Sequence, residues 1–418
     1  MSGSGRGLPD EQGYVEWLTE RVAEHVRREV REDMPLIECG LDSVALLGLY
    51  GDAEEAFGPL PDHPVEVWSY LTIRGLARRL ADRDRVTWPD GRVRTAFVFT
   101  GQGCQHPWMT AGLHGHCTAY RHHLTTADEA VSRHLGRSVA ELVLEGSPLV
   151  HRTALTQPAL FAVGYALAMT LLEEGVEPVA LLGHGIGEFA AATVGGALPL
   201  GAAAELVVAR GALMEQLPSG GGMMATCANP YEAAEAATAE PGVSIGAINA
   251  ARATVLSGDL AGLERASRRL ADIGIASTML KVTHAFHSPL MEPVAPRLEE
   301  LVRRMPTGAS GVPFYSTVYG RRYDGPLDPA YWSRHITSPV RFADAARALL
   351  GEQRPSHVVE IGPKAVLTAF LRRMGGTRGP RCLPMCRGPR TNAVDLAGTL
   401  SALNAGPLSE DEDTSPRP

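Results

Sequence analysis

A small all-α helical bundle followed by a larger α/β domain with a compact insertion is the fold class the sequence predicts, and three patterns predict it. From about residue 14 to residue 83, apolar residues recur only at helical spacing. From residue 95 onward, buried-strand runs alternate with helices, the signature of a mainly parallel sheet. Between about Gly222 and Val282 the rhythm tightens to strand, helix, strand, strand, helix, strand, the order of a ferredoxin-like subdomain.

In the bundle, Val15, Leu18, Val22 and Val26 form one helical stripe, and Leu46, Leu49, Tyr50, Ala53 and Phe57 a second. "TIRGLARRLADR" supplies a last helix, and residues 85–94, with Pro89 and Gly91, read as a linker. The larger domain, residues 95–400, opens on the strand "TAFVF". It continues through the apolar helix "TQPALFAVGYALAMTLLEEG" to the strand "PVALLG". Residues 401–418 are acidic, contain Pro and are expected to be disordered.

Composition narrows the function classes. The chain has 418 residues, 44% apolar and 21% charged, which suits a globular protein with a substantial core. No uninterrupted apolar run approaches the roughly 18 to 20 residues of a membrane span, and no signal-peptide core is visible, so a cytoplasmic, membrane-free protein is expected. The net charge of -8 resides in residues 1–90, which hold 10 basic and 18 acidic side chains. An acidic unit on a neutral body argues against nucleic acid as a partner. The six cysteines are scattered, and the close pair Cys382 and Cys386 lacks further ligands at metal spacing, so reduced thiols and no metal are expected.

"LLGHGIGEF" carries the chemical question. An apolar strand runs into a bend bracketed by Gly183 and Gly187, and a helix follows. That is the build of a nucleophile elbow, G-x-S-x-G, with Gly185 in the serine's place. His184 reads as structural, and Glu188 as a helix-start carboxylate.

Two resemblances follow from longer motifs. "ECGLDSVALLGLYGDAEEAFG", within an acidic helical segment over residues 12–84, resembles an acyl carrier protein. The resemblance implies a covalent 4'-phosphopantetheine on Ser43, installed by a phosphopantetheinyl transferase; read alone, Asp42 or Ser43 is an ordinary helix cap. Asp52, Glu54 and Glu55 would suit basic partner surfaces.

"FVFTGQGCQ", "TQPALFAVGYALA", "LLGHGIGE", "RGALM", "VLSGD", "HAFHSPLM", "YWSRHITSPVRF" and "EIGP" occur in one order over residues 95–390. Together they resemble the acyltransferase domains of polyketide synthases and the malonyl-CoA:acyl carrier protein transacylases. The resemblance implies an α/β hydrolase-like acyltransferase domain with the ferredoxin-like subdomain at 222–282. It implies His287 as general base, with a backbone carbonyl near His335 as its partner, and the N–H groups of Gln102 and Ile186 as oxyanion-hole donors. Arg210 matches the clamp for a malonyl carboxylate, and His284 and Phe286 match selectivity positions. The expected partners are acyl-CoA, above all malonyl-CoA, and other polyketide synthase proteins such as a ketosynthase.

Gly185 departs from the family at its central residue. Losing a nucleophile costs on the order of 10^6 in turnover in serine hydrolases. Four readings follow: a replaced native serine, a natural non-covalent enzyme acting by transfer or by hydrolysis through His287, a silent docking module, or a substitute nucleophile at Cys104, whose loop faces the wrong way. Whether the carrier is served by its own body or by another is open, and a linker of about ten residues limits its reach.

Overall fold

The computed structural model describes residues 10–26, 30–33, 49, 52–53, 56, 72–82, 93–376, 379–388 and 391–403. The chain divides into two compact units, the break falling between Arg92 and Val93.

In the first unit, two helices are described, Glu11–Val26 and Ile73–Asp82. Tyr14, Val15, Leu18 and Val22 on the first bury against Ile73, Leu76, Ala77 and Leu80 on the second, and Val30 and Leu49 close the same core. Ser43, the rest of the "GLDS" turn, Glu54 and Glu55 lie outside the described residues, as does the acidic tail beyond Leu403.

Among the described residues the second unit has ten strands. They are β1 (Thr95–Phe99), β2 (Pro178–Gly183), β3 (Gly221–Thr226), β4 (Val243–Ala250), β5 (Ala253–Asp259), β6 (Ser277–Met279), β7 (Phe314–Ser316), β8 (Arg321–Arg322), β9 (His357–Ile361) and β10 (Arg381–Pro384). Six form one sheet in the order β10-β9-β1-β2-β7-β8. Its pairings are parallel except for β7 with β8 at the edge. β1 is buried along its whole length, as expected for a central strand covered by helices on both faces.

The other four form an antiparallel sheet in the order β4-β5-β3-β6. Helices Pro230–Thr238 and Leu260–Asp272 pack their small and apolar residues on it, giving a separate core of Met224, Ala233, Leu256, Leu263 and Leu270. This order and connectivity are those of a ferredoxin-like subdomain.

Helix Thr153–Glu173 contains no uninterrupted apolar run of a span's length but passes a coarser test. It is long and apolar enough to cross a membrane, because Gln157, Gly164 and the threonines do not lower its mean hydropathy enough. Its apolar window is 83% buried, so it is a core helix, apolar all round because protein surrounds it. No disulfide joins the cysteines among the described residues.

Candidate active site

The site gathers where β1 and β2 end side by side, Phe99 opposite Gly183. Crevices outside the carboxyl ends of parallel strands are where open α/β sheets hold ligands. The loop after β1 carries Gln102; the turn after β2 carries His184, Gly185 and Ile186 and leads into helix Gly187–Val194. The His184 N–H donates to the Phe99 carbonyl at 2.9 Å, tying the two loops together.

The glycines of this turn are not equivalent. A Cβ on Gly183 would fall 2.2 Å from the Glu188 nitrogen, and one on Gly187 2.6 Å from the Thr100 oxygen, so backbone crowding excludes a side chain at both. Gly185 has φ 53°, the left-handed region usual for an elbow residue. A Cβ there would meet only His287, with Nε2 at 3.2 Å and Cε1 at 3.8 Å. Backbone crowding thus requires glycine at residues 183 and 187, whereas at residue 185 the one neighbour a Cβ would press on is the His287 imidazole.

His287 comes from the segment leaving the ferredoxin-like subdomain. Its φ of 57° is strained for a non-glycine residue, although histidine tolerates this region better than most. The Ser257 hydroxyl holds the Phe286 carbonyl at 2.6 Å, and Ser288 holds the Ala285 carbonyl at 2.7 Å, so both neighbours of the base are anchored. Nδ1–H donates to the Ser338 carbonyl at 3.1 Å, which leaves the Nε2 lone pair directed at Gly185. The His335 backbone, where the partner carbonyl was expected, also acts on this ring, beside the Ser338 carbonyl three residues further on. Val340 exchanges backbone hydrogen bonds with Ile248 and Gly246 of β4, and this bridge draws the Ser338 segment against the subdomain that carries His287. Burial, with the nearby Arg210 charge, lowers the His287 pKa to about 3, so the ring is neutral.

Two side chains beneath the elbow complete its support. His335, buried, donates from Nε2 to the Gly185 carbonyl at 3.1 Å, an oxygen that also accepts the Glu188 N–H at 2.9 Å. Glu188 is fully buried and does not cap its own helix. It accepts from the Thr317 N–H at 2.5 Å, the Thr317 hydroxyl at 2.6 Å and the Tyr331 hydroxyl at 2.5 Å. Burial raises its pKa to about 7, against those hydrogen bonds and the Arg210 charge. Sequence reasoning missed this network because Glu188 is more than a hundred residues from its partners; the one available signal was a carboxylate three residues past Gly185 in an otherwise largely apolar helix.

Arg210 lies on helix Leu200–Glu215, 2% exposed, with its guanidinium 5.7 Å from the Phe189 ring centre. Its Nε has no hydrogen-bond partner, and it forms no ion pair among the described residues. Burial brings its pKa down to about 9, which leaves it charged at neutral pH. His284 donates to the Leu217 carbonyl at 3.2 Å and bonds Thr283, and its ring lies 6.0 Å from that of Phe286. His184 bonds Asn249 at 2.8 Å. Gln102 and Ile186 donate their backbone N–H groups to no acceptor among the described residues. Cys104 is enclosed by Thr100 and the Gly101 carbonyl, and burial pushes its thiol up to about 12, unsuited to nucleophilic attack.

The site thus holds a neutral imidazole facing the turn after β2, the charge of buried Arg210 acting on that ring, and two backbone N–H groups, of Gln102 and Ile186, on the loops that follow β1 and β2. The chain belongs to the acyl transferase domain family, whose model matches residues 96–395. It is 39% identical over 323 residues to the polyketide synthase GfsB of Streptomyces halstedii, a match covering 76% of this chain and 6% of that protein. Among solved structures it is similar to a loading acyltransferase of the avermectin modular polyketide synthase. That match has 32% identity and a TM-score of 0.69, and covers 74% of this chain and all of that one. The malonyl-CoA:acyl carrier protein transacylase FabD of Xanthomonas oryzae pv. oryzae is 30% identical, with a TM-score of 0.66 over 74% of this chain and 98% of that one.

Proposed function

We propose that the chain binds a malonyl-class acyl thioester and moves its acyl group between coenzyme A and a carrier thiol in polyketide or related biosynthesis. The carrier is its own N-terminal unit, with 4'-phosphopantetheine on Ser43. The unpaired Arg210 guanidinium carries this reading. A buried cation without a partner costs several kcal/mol, and the free carboxylate of a malonyl group is the planar bidentate partner that would offset it. His287 would serve as base, and the Gln102 and Ile186 N–H groups would hold the developing oxyanion.

Gly185 occupies the nucleophile's position in this reading, so no acyl-enzyme forms there. The same glycine favours a second reading, a thioesterase that uses water activated by His287, or a domain that binds without turnover. Calorimetric titration of the full chain with malonyl-CoA and acetyl-CoA tests the ligand class. Binding of malonyl-CoA that is lost in Arg210→Ala supports it; equal binding of both esters contradicts it.

A further inference from the structure

We infer that Glu188 is a positioning residue for the acyl carboxylate: it is the resident countercharge of Arg210 and takes up a proton from solvent when a carboxylated acyl group occupies that guanidinium. The inference rests on the reading of Arg210 proposed above and adds a second residue, a proton and a pH dependence to it.

A buried cluster carries it. Glu188 and Phe189 are neighbours on helix Gly187–Val194, and the Arg210 guanidinium lies 5.7 Å from the Phe189 ring centre. Trp332 stacks on the same ring at 4.1 Å between centres, and His335 meets it edge-on at 5.3 Å. All five side chains are buried. Carboxylate and guanidinium form no direct ion pair among the described residues, yet each acts on the other's charge. Aromatic rings screen poorly, so charges held apart by them still interact strongly.

The hydrogen bonds around Glu188 accommodate both of its protonation states. The Tyr331 hydroxyl oxygen lies 2.5 Å from Glu188 Oε2 and 2.8 Å from Ser316 Oγ, and its single proton can serve only one of them. With Glu188 ionised, Ser316 donates to Tyr331 and Tyr331 donates to the carboxylate. With Glu188 protonated, the carboxyl donates to Tyr331 and Tyr331 donates to Ser316. Oε1 keeps the Thr317 N–H and hydroxyl in both states. Reversing three hydroxyl groups therefore stores or releases a proton without moving a heavy atom.

The other titratable groups of the packed elements are committed elsewhere or held neutral. His335 Nε2–H, 3.7 Å from Oε2, is donated to the Gly185 carbonyl, and burial keeps the rings of His335, His287 and His184 below their ordinary range. Strands β1 and β2 carry no titratable side chain, and Tyr315 of β7 donates to Glu352. Tyr165 and Glu173 of helix Thr153–Glu173 are not buried.

Charge balance sets the direction. In the empty site Arg210 is positive and Glu188 negative, so the buried pair is neutral. A bound carboxylate adds one negative charge, and one proton from solvent on Glu188 restores neutrality. Burial already brings Glu188 to about 7 against the pull of Arg210; a carboxylate on the guanidinium cancels that pull and moves Glu188 upward. Below pH 7 the carboxyl is already protonated and binding takes up nothing. Above pH 7 it takes up a proton, and affinity falls by up to about tenfold per pH unit. An acyl group without a carboxylate brings no charge and takes up none.

The test is calorimetric titration of the full chain at about pH 6 and about pH 8, each in two buffers of different ionisation enthalpy. The ligand is a malonyl-CoA analogue with a methylene in place of the thioester sulfur, which cannot transfer its acyl group; its carboxyl is ionised at both pH values. The matching acetyl analogue subtracts protons taken up by the coenzyme A phosphates. Expected for the malonyl analogue are uptake approaching one proton at pH 8, little at pH 6, and several-fold weaker binding at pH 8. Glu188→Gln, whose amide can still donate to Tyr331, should abolish both the uptake and the pH dependence while binding persists. Tyr331→Phe, which removes a donor to the ionised carboxylate, should shift the onset of uptake to higher pH. Malonyl binding without proton uptake, the same uptake in Glu188→Gln, or an unmoved onset in Tyr331→Phe would overturn the inference and leave the carboxylate reading standing. Equal binding of both analogues, or none, removes both.

Discussion

Replacing Arg210 by methionine should stabilise the empty protein while removing its affinity for a carboxylated acyl group. The guanidinium is 2% exposed and its pKa falls from 12.5 to about 9 because burial penalises the charge. At about 1.4 kcal/mol per pH unit that is about 5 kcal/mol against the charged form. The cost is present in full below pH 9 and fades as pH rises through 9 toward 12.5, where the unfolded chain also loses its charge. Methionine removes the cost but forfeits the contact with Phe189, worth about 1 kcal/mol, and leaves Glu188 without a compensating field. A net gain of about 1 to 4 kcal/mol is expected, in line with replacements of other buried charges by apolar residues. Scanning calorimetry at pH 7 should give the variant a thermal midpoint several degrees higher. Malonyl-CoA at about 100 times its dissociation constant should add about 2.7 kcal/mol to the parent protein and nothing to the variant. A variant that melts below the parent would mean that the fold already satisfies the guanidinium, and the argument for a carboxylate ligand would fail.

Other outcomes follow from the same geometry. Glu188 has a folded pKa of about 7 against 4.5, so the protein binds more protons folded than unfolded, and Glu188 costs stability increasingly as pH rises from 4.5 to 7. Glu188→Gln should therefore gain on the parent by up to about 3 kcal/mol across that window, read as a difference between denaturation curves. His335→Leu should cost about 1 to 3 kcal/mol and lower turnover more than it raises KM, with partial rescue by His335→Gln, which can still donate to the Gly185 carbonyl. Because the His287 pKa is near 3, the acid limb of any pH–rate profile should lie well below pH 6; a limb at 6.5 would contradict the buried neutral ring. Gly185→Ala should cost about 1 to 2 kcal/mol, for its left-handed backbone and the tight contact its Cβ makes with the His287 ring, whereas Gly183→Ala, with backbone 2.2 Å from its Cβ, should fail to fold or cost several-fold more.

The parts of the site legible in the sequence were those written as contiguous strings. The elbow, the "HAFH" segment and "RGALM" each announce one functional group because local backbone geometry places it. The strand order of the insertion was legible for a similar reason, its short elements being separated by clear turns. The support beneath the elbow was not. Glu188 is partnered by Thr317 and Tyr331, and the His287 ring by Ser338, contacts made by chain folding over more than fifty residues, for which one sequence offers no spacing rule. His335 was expected to act through a backbone carbonyl near it, and its side chain, which no spacing announced, holds the Gly185 carbonyl as well. The state of Arg210 was equally hidden, since only packing shows that its buried Nε has no hydrogen-bond partner and that Glu188, the carboxylate that acts on its charge, makes no ion pair with it. Helix Thr153–Glu173 shows the limit of counting runs: its scattered polar residues break the apolar run in the sequence, but not the helix's overall hydropathy.

The most direct measurement of the central claim is the fate of label from malonyl-CoA incubated with the phosphopantetheinylated chain, read by intact-protein and peptide mass. The account predicts malonyl on the Ser43 arm, none elsewhere on the chain, and loss of that label in Arg210→Ala and His287→Ala. An unlabelled chain with malonyl-CoA recovered intact would contradict it.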